Sequence, residues 1–320
     1  MRKIAVCIAF SDAAQRRRIT DCAAALGFSV DYYDTAEDIL PHIEDYEILY
    51  GHPAPEIVSK AKHLKWLCSD FAGIEKYLPD GVFSDPNCLL SNSSGAYGPT
   101  ISEHIIMVLL MLLRRMPEYK ADLRDRKWTF YSPIRSIIGS HFVLLGTGDI
   151  GSNTARRLKA LGATVTGVCR SGKSEEPAFD RVVSLSELDN VLPTADALIM
   201  SLPATSETIG ILDARRISLL RKDAYLINVG RGSAIDQDAL VTALRSRSIA
   251  GAALDVMMPE PLPADHPLWD CPNTILTPHV SGNLSLGLTC ELDIAMFLAD
   301  LERYSTGQPL KNLVDRTKGY

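Results

Sequence analysis

Three short motifs in the second half of the chain carry side chains suited to acid–base and carboxylate chemistry. An arginine presents a fixed pair of donors to a carboxylate and places positive charge near a carbonyl. A histidine can protonate a carbonyl oxygen as hydride reaches the carbon, and a neighbouring glutamate favours the charged ring and fixes its orientation. Arg231, Glu260 and His279 therefore form a set suited to reducing a 2-oxo acid. The motifs are Asn228-Val229-Gly230-Arg231-Gly232, Gly251-Ala252-Ala253-Leu254-Asp255-Val256 with Pro259-Glu260-Pro261, and Leu276-Thr277-Pro278-His279.

A glycine-rich turn precedes these motifs and predicts a dinucleotide site. Gly146-Thr147-Gly148-Asp149-Ile150-Gly151 follows an apolar run at 142–145 and opens a helical pattern that reaches Leu161. The first glycine allows the tight turn, the second allows a pyrophosphate to approach the backbone, and the third allows close packing of helix on strand. The anion would then bind the amides at the start of the helix.

The end of the next predicted strand indicates which dinucleotide is preferred. An NAD site usually places an acid about 20 residues beyond the turn, to bind the ribose 2′-hydroxyl. Here that position holds Cys169, followed by Arg170 and Ser171, and the nearest carboxylate along the chain is Glu175. A guanidinium and a hydroxyl can bind a 2′-phosphate, which a carboxylate would repel. We therefore predict NADP over NAD; the alternative is a surface loop that is basic by chance.

The elements that must position these residues alternate between strand and helix patterns along the chain. Short apolar, β-rich runs at 4–9, 30–33, 47–50, 64–68 and 88–91 form a first set. A second set lies at 142–145, 164–168, 197–201, 225–229, 252–256 and 274–276, after a long helical pattern at 97–115. Alternation of this kind predicts an α/β fold with two lobes, each a parallel Rossmann-like or flavodoxin-like sheet with helices on both faces. The catalytic motifs then stand at strand ends, where open α/β sheets bind ligands.

Composition excludes several other classes of protein. The 320 residues are 46% hydrophobic and 22% charged, which is typical of a globular chain of about two domains. A net charge of −6 argues against a nucleic-acid partner, and the longest apolar run, 105–113, is too short to span a membrane. The seven cysteines are scattered without metal-ligand spacing, so we expect no metal site, reduced thiols and a cytoplasmic location.

The combined motifs identify a family resemblance that covers nearly the whole chain. With Leu202-Pro203-Ala204-Thr205, Glu207-Thr208 and Asp265-His266-Pro267-Leu268-Trp269, the sequence resembles the D-isomer-specific 2-hydroxyacid dehydrogenases, which include glyoxylate/hydroxypyruvate reductases and phosphoglycerate dehydrogenases. The resemblance implies an active-site cleft between two lobes. It implies a substrate-binding, catalytic domain of residues 1–98 and 287–320, and a dinucleotide-binding domain of residues 99–286.

The resemblance also implies roles for single residues. Arg231 would bind substrate, His279 would be the acid/base with Glu260 as its partner, and Asp255 would hold the nicotinamide carboxamide. Residues 70–75 resemble the family loop that binds the substrate carboxylate, with Ala72 and Gly73 as amide donors. Residues 120–140 resemble an arm that packs on a partner subunit, which predicts a homodimer. The further cofactor-lining residues implied are Asp149, Ile150, Leu202, Pro203, Thr208, Val229, Gly230 and Gly282.

The predicted function is therefore reduction of a small 2-oxo acid by NADPH to a D-2-hydroxy acid, in the manner of a glyoxylate/hydroxypyruvate reductase. Met257 and Met258 stand where many family members carry an aromatic residue and an acid, which leaves the substrate side chain unspecified. Two alternatives stay open at this stage. One is a phosphoglycerate dehydrogenase-like enzyme, and the other is a dinucleotide-sensing corepressor or scaffold.

Overall fold

A computed structural model describes residues 2–319 and divides into two compact units. The strands are β1 (Arg2–Cys7), β2 (Phe28–Tyr32), β3 (Ile48–Gly51), β4 (Trp66–Cys68), β5 (Leu89–Ser91), β6 (His141–Leu145), β7 (Thr164–Cys169), β8 (Arg181–Ser184), β9 (Ala197–Met200), β10 (Tyr225–Asn228), β11 (Gly251–Leu254) and β12 (Thr274–Leu276). The α-helices are α1 (Ala13–Ala25), α2 (Pro55–Val58), α3 (Gly98–Leu113), α4 (Met116–Asp125), α5 (Asp149–Ala160), α6 (Leu188–Val191), α7 (Ala214–Leu219), α8 (Gln237–Arg245) and α9 (Gly287–Ser305). Short 3-10 helices span Glu37–Asp45, Glu75–Tyr77, Leu185–Glu187, Leu192–Thr194, Gly232–Ala234 and Pro267–Asp270.

The first unit combines the described residues up to Tyr97 with those from Asn283 onward. Its sheet is parallel, in the order β2-β1-β3-β4-β5. Helix α9 closes one face of this unit with Phe297, whose ring stacks on Tyr50 at a centroid distance of 4.0 Å and on Trp66 at 5.6 Å. These aromatic rings are fully buried, so the last helix is part of the core of the first unit.

The second unit runs from Gly98 to Gly282 without interruption. Its sheet is also parallel, in the order β12-β11-β10-β9-β6-β7-β8. The central strands β9 and β10 are buried along their full length, and β6 is buried after His141; such largely apolar strands are typical of a parallel sheet covered on both faces. The strand order reverses between β9 and β7 at β6, and ligands bind at such a switch point in open α/β sheets.

The two parallel sheets confirm the predicted fold class, and three details differ from the sequence-based expectation. Strand β8 was not predicted; it is a short edge strand that begins with exposed Arg181 and pairs with β7 through Thr166. The long helical pattern at 97–115 ends at Leu113, because Arg115 adopts a left-handed backbone with φ 60° before α4 begins. The units divide after Tyr97 and Gly282, within four residues of the predicted domain boundaries. The roles assigned to the two domains stay predictions.

Candidate active site

The glycine turn lies between β6 and α5 and has the backbone shape that a pyrophosphate needs. Gly146 has φ +113°, and a Cβ on Gly151 would lie 2.0 Å from the Gly146 oxygen, so neither position accepts a side chain. A Cβ on Gly148 would meet nothing within 4 Å, which leaves open space beside the backbone. Within the described chain no side chain caps the α5 N-terminus. The turn therefore fits an anionic group bound by the first amides of the helix.

The Asp149 side chain at the start of α5 is hydrogen-bonded to other residues of the second unit. Its carboxylate accepts a hydrogen bond from the Gly98 amide at 2.7 Å and another from Asn153 Nδ2 at 2.9 Å. A Cβ on Gly98 would lie 2.3 Å from the same carboxylate, so α3 must begin with glycine to pack this closely on α5. A contribution of Asp149 to cofactor binding would therefore come from its backbone rather than its carboxylate.

Beyond β7 the chain makes a compact polar turn through the residues predicted to select the cofactor. The Ser171 hydroxyl donates to the Lys173 carbonyl at 3.1 Å, and Gly172 adopts φ +65°. Burial raises the pKa of the Cys169 thiol, but hydrogen bonds from the Ser171 and Thr147 side chains and from backbone amides outweigh it. The pKa of this thiol is consequently below its ordinary value, which indicates a corner rich in hydrogen-bond donors.

The structure brings a carboxylate to this corner that sequence analysis did not identify. Glu207 Oε2 lies 3.7 Å from Arg170 Nε, and both side chains are about half exposed. Glu207 is far from Arg170 along the chain, on the segment after β9, so only the sheet order of the fold places the two together. The Arg170 guanidinium, which we expect to bind a phosphate, therefore also interacts with the carboxylate of Glu207.

The segments after β9 and β10 pack closely against one another. A Cβ on Gly230 would lie 2.6 Å from the Leu202 carbonyl oxygen, which requires glycine at this contact. Thr208 fixes the 203–208 loop by donating to the Pro203 carbonyl at 2.6 Å while its hydroxyl accepts from the Thr205 amide at 2.8 Å. Val229 continues the β10 ladder by donating its amide to the Met200 carbonyl at 3.0 Å. The segments that carry the predicted cofactor residues Leu202, Pro203, Thr208, Val229 and Gly230 are thus held together by direct contacts and hydrogen bonds.

Arg231 follows β10 in a loop that is braced by Asn228. The Asn228 amide group donates to the Arg231 carbonyl at 2.9 Å, and its oxygen accepts from the Gly230 amide at 3.0 Å. The guanidinium donates to the Gly230 carbonyl at 2.8 Å. Asn228 is 1% exposed, so these bonds are shielded from water and fix the backbone that carries Arg231. Asn228 begins the motif that carries Arg231, but the sequence alone predicts no role for its side chain.

His279 and Glu260 form the pair expected from the sequence. His279 Nδ1 lies 2.8 Å from Glu260 Oε2, and the other Glu260 oxygen accepts a hydrogen bond from the Met257 amide at 2.9 Å. Half of the imidazole surface is exposed. With Nδ1 directed at the carboxylate, Nε2 is the ring nitrogen that remains for a ligand.

Asp255 lies beneath the loop that carries His279. The Thr277 hydroxyl donates to Oδ1 at 2.5 Å, the Val280 amide donates to Oδ1 at 2.9 Å, and the Ser281 amide donates to Oδ2 at 2.9 Å. Burial raises the pKa of this carboxyl, but hydrogen bonds from Ser281, Thr277 and Val280 outweigh it and hold the pKa below its ordinary value. His279 itself has φ 53° and donates its amide to the Asp255 carbonyl at 2.9 Å.

These contacts make Asp255 the support of the His279 loop and of Gly282, which follows Ser281 directly. Sequence analysis did not predict this bracing role. The role implied by the resemblance, holding a nicotinamide carboxamide, stays a prediction. His104 on α3 extends the network, since its Nε2 lies 3.5 Å from the Thr277 hydroxyl, and burial lowers the pKa of the His104 imidazole.

The predicted carboxylate-binding loop belongs to the first unit and follows β4. Ala72 is exposed, Gly73 is half-buried, and the Asn92 side chain donates to the Ala72 carbonyl at 3.0 Å. Phe71 packs on His52 with ring centroids 4.6 Å apart. Burial and the nearby charge of Lys76 lower the pKa of the His52 imidazole to about 3, so that ring is neutral.

Residues 2–319 contain neither a membrane-spanning helix nor a cluster of metal-ligating side chains. No helix in this range is long and apolar enough to cross a membrane. No group of three or more His, Cys, Asp or Glu side chains in the same range is arranged to hold a metal ion.

Comparisons with known proteins agree on one family. Residues 106–281 match the model described as D-isomer specific 2-hydroxyacid dehydrogenase, NAD binding domain. The glyoxylate/hydroxypyruvate reductase A of Escherichia fergusonii is 30% identical over 86% of this chain and 88% of that protein.

Solved structures extend this similarity to both units. A D-isomer specific 2-hydroxyacid dehydrogenase family protein from Aeromonas salmonicida shares 34% identity at a TM-score of 0.87, over 98% of this chain and 99% of that one. The NADPH-dependent glyoxylate/hydroxypyruvate reductase of Sinorhizobium meliloti, solved with NADP and sulfate, shares 26% identity at a TM-score of 0.82, over the full length of both chains.

Proposed function

Because the chain belongs to the D-isomer specific 2-hydroxyacid dehydrogenase family, we propose that it reduces a small 2-oxo acid to the D-2-hydroxy acid and prefers NADPH. The observation that carries the proposal is the His279–Glu260 pair at 2.8 Å, held on a loop that Asp255 braces from below. The names of the Escherichia and Sinorhizobium relatives favour glyoxylate or hydroxypyruvate as the class of substrate.

In this proposal His279 is the acid that completes the reduction. Its Nδ1–H donates to the Glu260 carboxylate, which orients the ring. Nε2 then delivers a proton to the carbonyl oxygen as negative charge develops there. A nicotinamide cofactor, when bound, would supply the hydride for the carbonyl carbon. In the reverse direction neutral His279 accepts the proton of the hydroxyl group.

For binding the substrate carboxylate we propose Arg231 in the second unit, and Ala72 and Gly73 in the first. The Arg231 guanidinium offers a planar pair of donors, and its backbone is fixed by Asn228. The amides of Ala72 and Gly73 are the further donors that we assign to the carboxylate. Binding by rigid donors orients the carbonyl for transfer, which is worth several kcal/mol (~7–11 at most) in oriented reactions.

The residues of the second unit would hold the cofactor in two places. The turn of Gly146, Gly148 and Gly151, with the backbone of Asp149 and Ile150, would bind the pyrophosphate. The corner of Cys169, Arg170 and Ser171 would bind the ribose 2′-phosphate. The same donors that lower the pKa of the Cys169 thiol would stabilise a phosphate anion there. This is our reason to expect NADPH over NADH.

We also assign a homodimer and a reducing compartment, which we take to be the cytoplasm. The arm at residues 120–140 exposes large apolar side chains, and exposed apolar patches mark association surfaces. All seven cysteines are free thiols, as in a reducing compartment. A Trp128→Ser variant should shift the protein from dimer to monomer in light scattering. An unchanged dimer would place the interface elsewhere. The exposed side chains are those of Leu123, Trp128, Phe130, Ile134 and Ile138.

The reaction is tested by following NADPH and NADH oxidation with glyoxylate, hydroxypyruvate, pyruvate and bulkier 2-oxo acids. We expect turnover with NADPH and a loss of about 10²–10⁴-fold in His279→Gln. His141→Gln is the matched control, because His141 lies in the same unit and its ring contacts the Thr194 carbonyl and the Thr166 hydroxyl, which have no assigned role in the reaction. Near-normal turnover in His279→Gln would refute the assignment of the acid. Tight NADPH binding without turnover of any 2-oxo acid would refute the proposal that the protein is a reductase.

The cofactor preference has its own test. Arg170→Ala should weaken NADPH binding by about 10-fold, the loss of one charge-assisted contact, and leave NADH binding unchanged. Equal losses with both nucleotides would contradict a contact between Arg170 and the 2′-phosphate.

A further inference from the structure

A buried carboxyl group lies at the start of the loop that we assign to the substrate carboxylate. Asp70 is 3% exposed and directly follows β4 and Ser69. Within residues 2–319, its Oδ1 is a buried side-chain oxygen that has no hydrogen-bond partner. A buried carboxylate oxygen without a donor costs several kcal/mol (~3–5) if the group is charged. The surroundings of Asp70 therefore favour its neutral, protonated form.

A second buried carboxyl group, Asp293 on α9, contrasts with Asp70. The Tyr50 hydroxyl donates to Asp293 Oδ2 at 2.6 Å, and the Ser93 hydroxyl contacts Oδ1. Donors at both oxygens stabilise a carboxylate. When one of the two acids is charged, Asp293 is the better placed to be the anion and Asp70 to keep its proton.

The charges around the two acids agree with this division. Burial, and then the charge of Asp293, raise the pKa of Asp70 to about 8. Burial raises the pKa of Asp293 to about 7, against the lowering effect of its bonds from Ser93 and Tyr50. Both acids therefore titrate near neutral pH, with Asp70 the later to lose its proton.

The other ionisable groups near Asp70 leave one cation to offset a negative charge. Burial raises the pKa of each neighbouring thiol and phenol, so these groups are neutral below pH 9. Lys76 is the cation, and it lowers the pKa of Asp70 less than burial and Asp293 raise it. The groups that interact electrostatically with Asp70 are Asp293 on α9, Lys76 and Tyr77 in the helix after the loop, Cys7 on β1, Tyr50 on β3, Cys68 on β4, and Tyr97.

Asp70 is also tied into the backbone of the loop. The Tyr97 hydroxyl donates to the Asp70 carbonyl at 2.6 Å, and the Ser69 hydroxyl accepts from the Phe71 amide at 3.2 Å. The chain then reaches Ala72 two residues later, a span of at most about 7 Å. The Asp70 side chain and the hydrogen bond to an anion add about 5 Å, so a charge on Asp70 would lie within about 12 Å of an anion held by the Ala72 amide.

We propose that Asp70 is a positioning residue that acts as a neutral acid, so that the loop of Ala72 and Gly73 accepts the substrate carboxylate without a competing negative charge. Loss of the Asp70 proton then weakens binding of the 2-oxo acid and leaves proton transfer by His279 untouched. This inference rests on the proposed function, since it assigns the loop to the substrate carboxylate. At about 12 Å and an effective dielectric constant of about 20, the repulsion between two negative charges weakens binding roughly 10-fold.

The test is the pH dependence of KM and of kcat, measured separately for glyoxylate between pH 6 and 9. In the unaltered enzyme we expect KM to rise roughly 10-fold as the pH passes about 8. Asp70→Asn should keep a low KM across the range with an unchanged pH profile of kcat. Asp293→Asn removes the charge that raises the Asp70 pKa, so its KM should rise at a lower pH.

Asp300→Asn is the matched control, because Asp300 is also a buried acid on α9 and accepts bonds from the Lys311 and Asn312 amides. Its KM profile should follow that of the unaltered enzyme. A flat KM in the unaltered enzyme, or a rise that persists in Asp70→Asn, would overturn the inference.

Infrared spectroscopy of the unaltered protein gives a second measurement that needs no variant to fold. The carbonyl absorption of protonated carboxyl groups should decrease in two steps, one near pH 7 for Asp293 and one near pH 8 for Asp70. Absence of the step near pH 8 would overturn the inference. Failure of every 2-oxo acid to react would instead refute the proposed function, while the infrared titration would still decide the protonation of Asp70.

Discussion

Replacing Asp255 with asparagine tests whether the His279 loop is held from below by a carboxylate. In the structure two donors converge on Oδ1 and the Ser281 amide donates to Oδ2. An asparagine oxygen can keep the two bonds from Thr277 and Val280. Its NH₂ group then faces the Ser281 amide, so that two donors oppose each other in a site that is 1% exposed.

The loss can be worked out from these contacts. One buried amide without an acceptor costs about 1–3 kcal/mol, and two bonds that lose their charge-assisted character cost about 1 kcal/mol each. We therefore expect Asp255→Asn to lower the free energy of unfolding by about 3–5 kcal/mol at pH 7. Because a shift of about 1 Å in a catalytic group costs roughly 100-fold, kcat/KM should fall by about that factor.

The pH dependence of the loss is set by the lowered pKa of Asp255. A carboxyl group with a depressed folded-state pKa contributes stability above its unfolded pKa, about 3.9, and loses it as the pH falls through the folded value. The difference in the free energy of unfolding between Asp255→Asn and the unaltered protein should therefore be largest at pH 7 and should decrease below about pH 4.

The assays are urea unfolding at pH 7 and pH 3.5, with kcat/KM measured on the same preparations. Asp236→Asn is the control, because Asp236 caps α8 by accepting from the Ala239 amide, and asparagine caps equally well. A variant within about 1 kcal/mol of the unaltered protein, with kcat/KM reduced less than threefold, would show that the carboxylate does not hold the loop.

Three further substitutions probe other parts of the site. Asn228→Ala should raise KM for the 2-oxo acid about 10-fold, because a buried amide in the Arg231 loop loses its acceptor; steady-state kinetics with an unchanged KM would contradict this. Glu207→Gln should strengthen NADPH binding a fewfold and leave NADH binding unchanged, because it frees the Arg170 guanidinium from a competing carboxylate. The effect is small because a half-exposed ion pair is worth only about 0–1 kcal/mol, and isothermal titration would detect it. Gly151→Ala should weaken both nucleotides about 100-fold in fluorescence titrations, because its Cβ would displace the turn; unaltered binding would refute the pyrophosphate site.

The sequence was most informative where a residue acts with its near neighbours along the chain. The glycine turn, the buried parallel strands and the strand-end positions of Arg231, Glu260 and His279 are all predicted by short patterns with a direct physical meaning. Edge strand β8 was not predicted, because it is not an apolar run. Its four residues are an exposed arginine, a partly exposed valine, a buried valine and a partly exposed serine.

Contacts between distant segments could not be predicted in the same way. Glu207 meets Arg170 only because β9 and β7 flank β6 in the sheet, and no local signal marks the pair. The same holds for Asp70 and Asp293, which are separated by most of the chain and interact electrostatically because α9 packs in the first unit. Asp255 was recognised in its motif, but its three donors became visible only with the loop conformation.

The discontinuous make-up of the first unit has a consequence for how the protein is made. The second unit is an unbroken segment, so it can complete its core while the ribosome is still translating the residues beyond Gly282. The first unit waits for α9, because Tyr50 and Trp66 have no cover until Phe297 is synthesised. During that interval a partly assembled sheet exposes aromatic surface, which is the kind of surface that chaperones bind. Synthesis of α9 is thus the step that allows this aromatic surface to be buried.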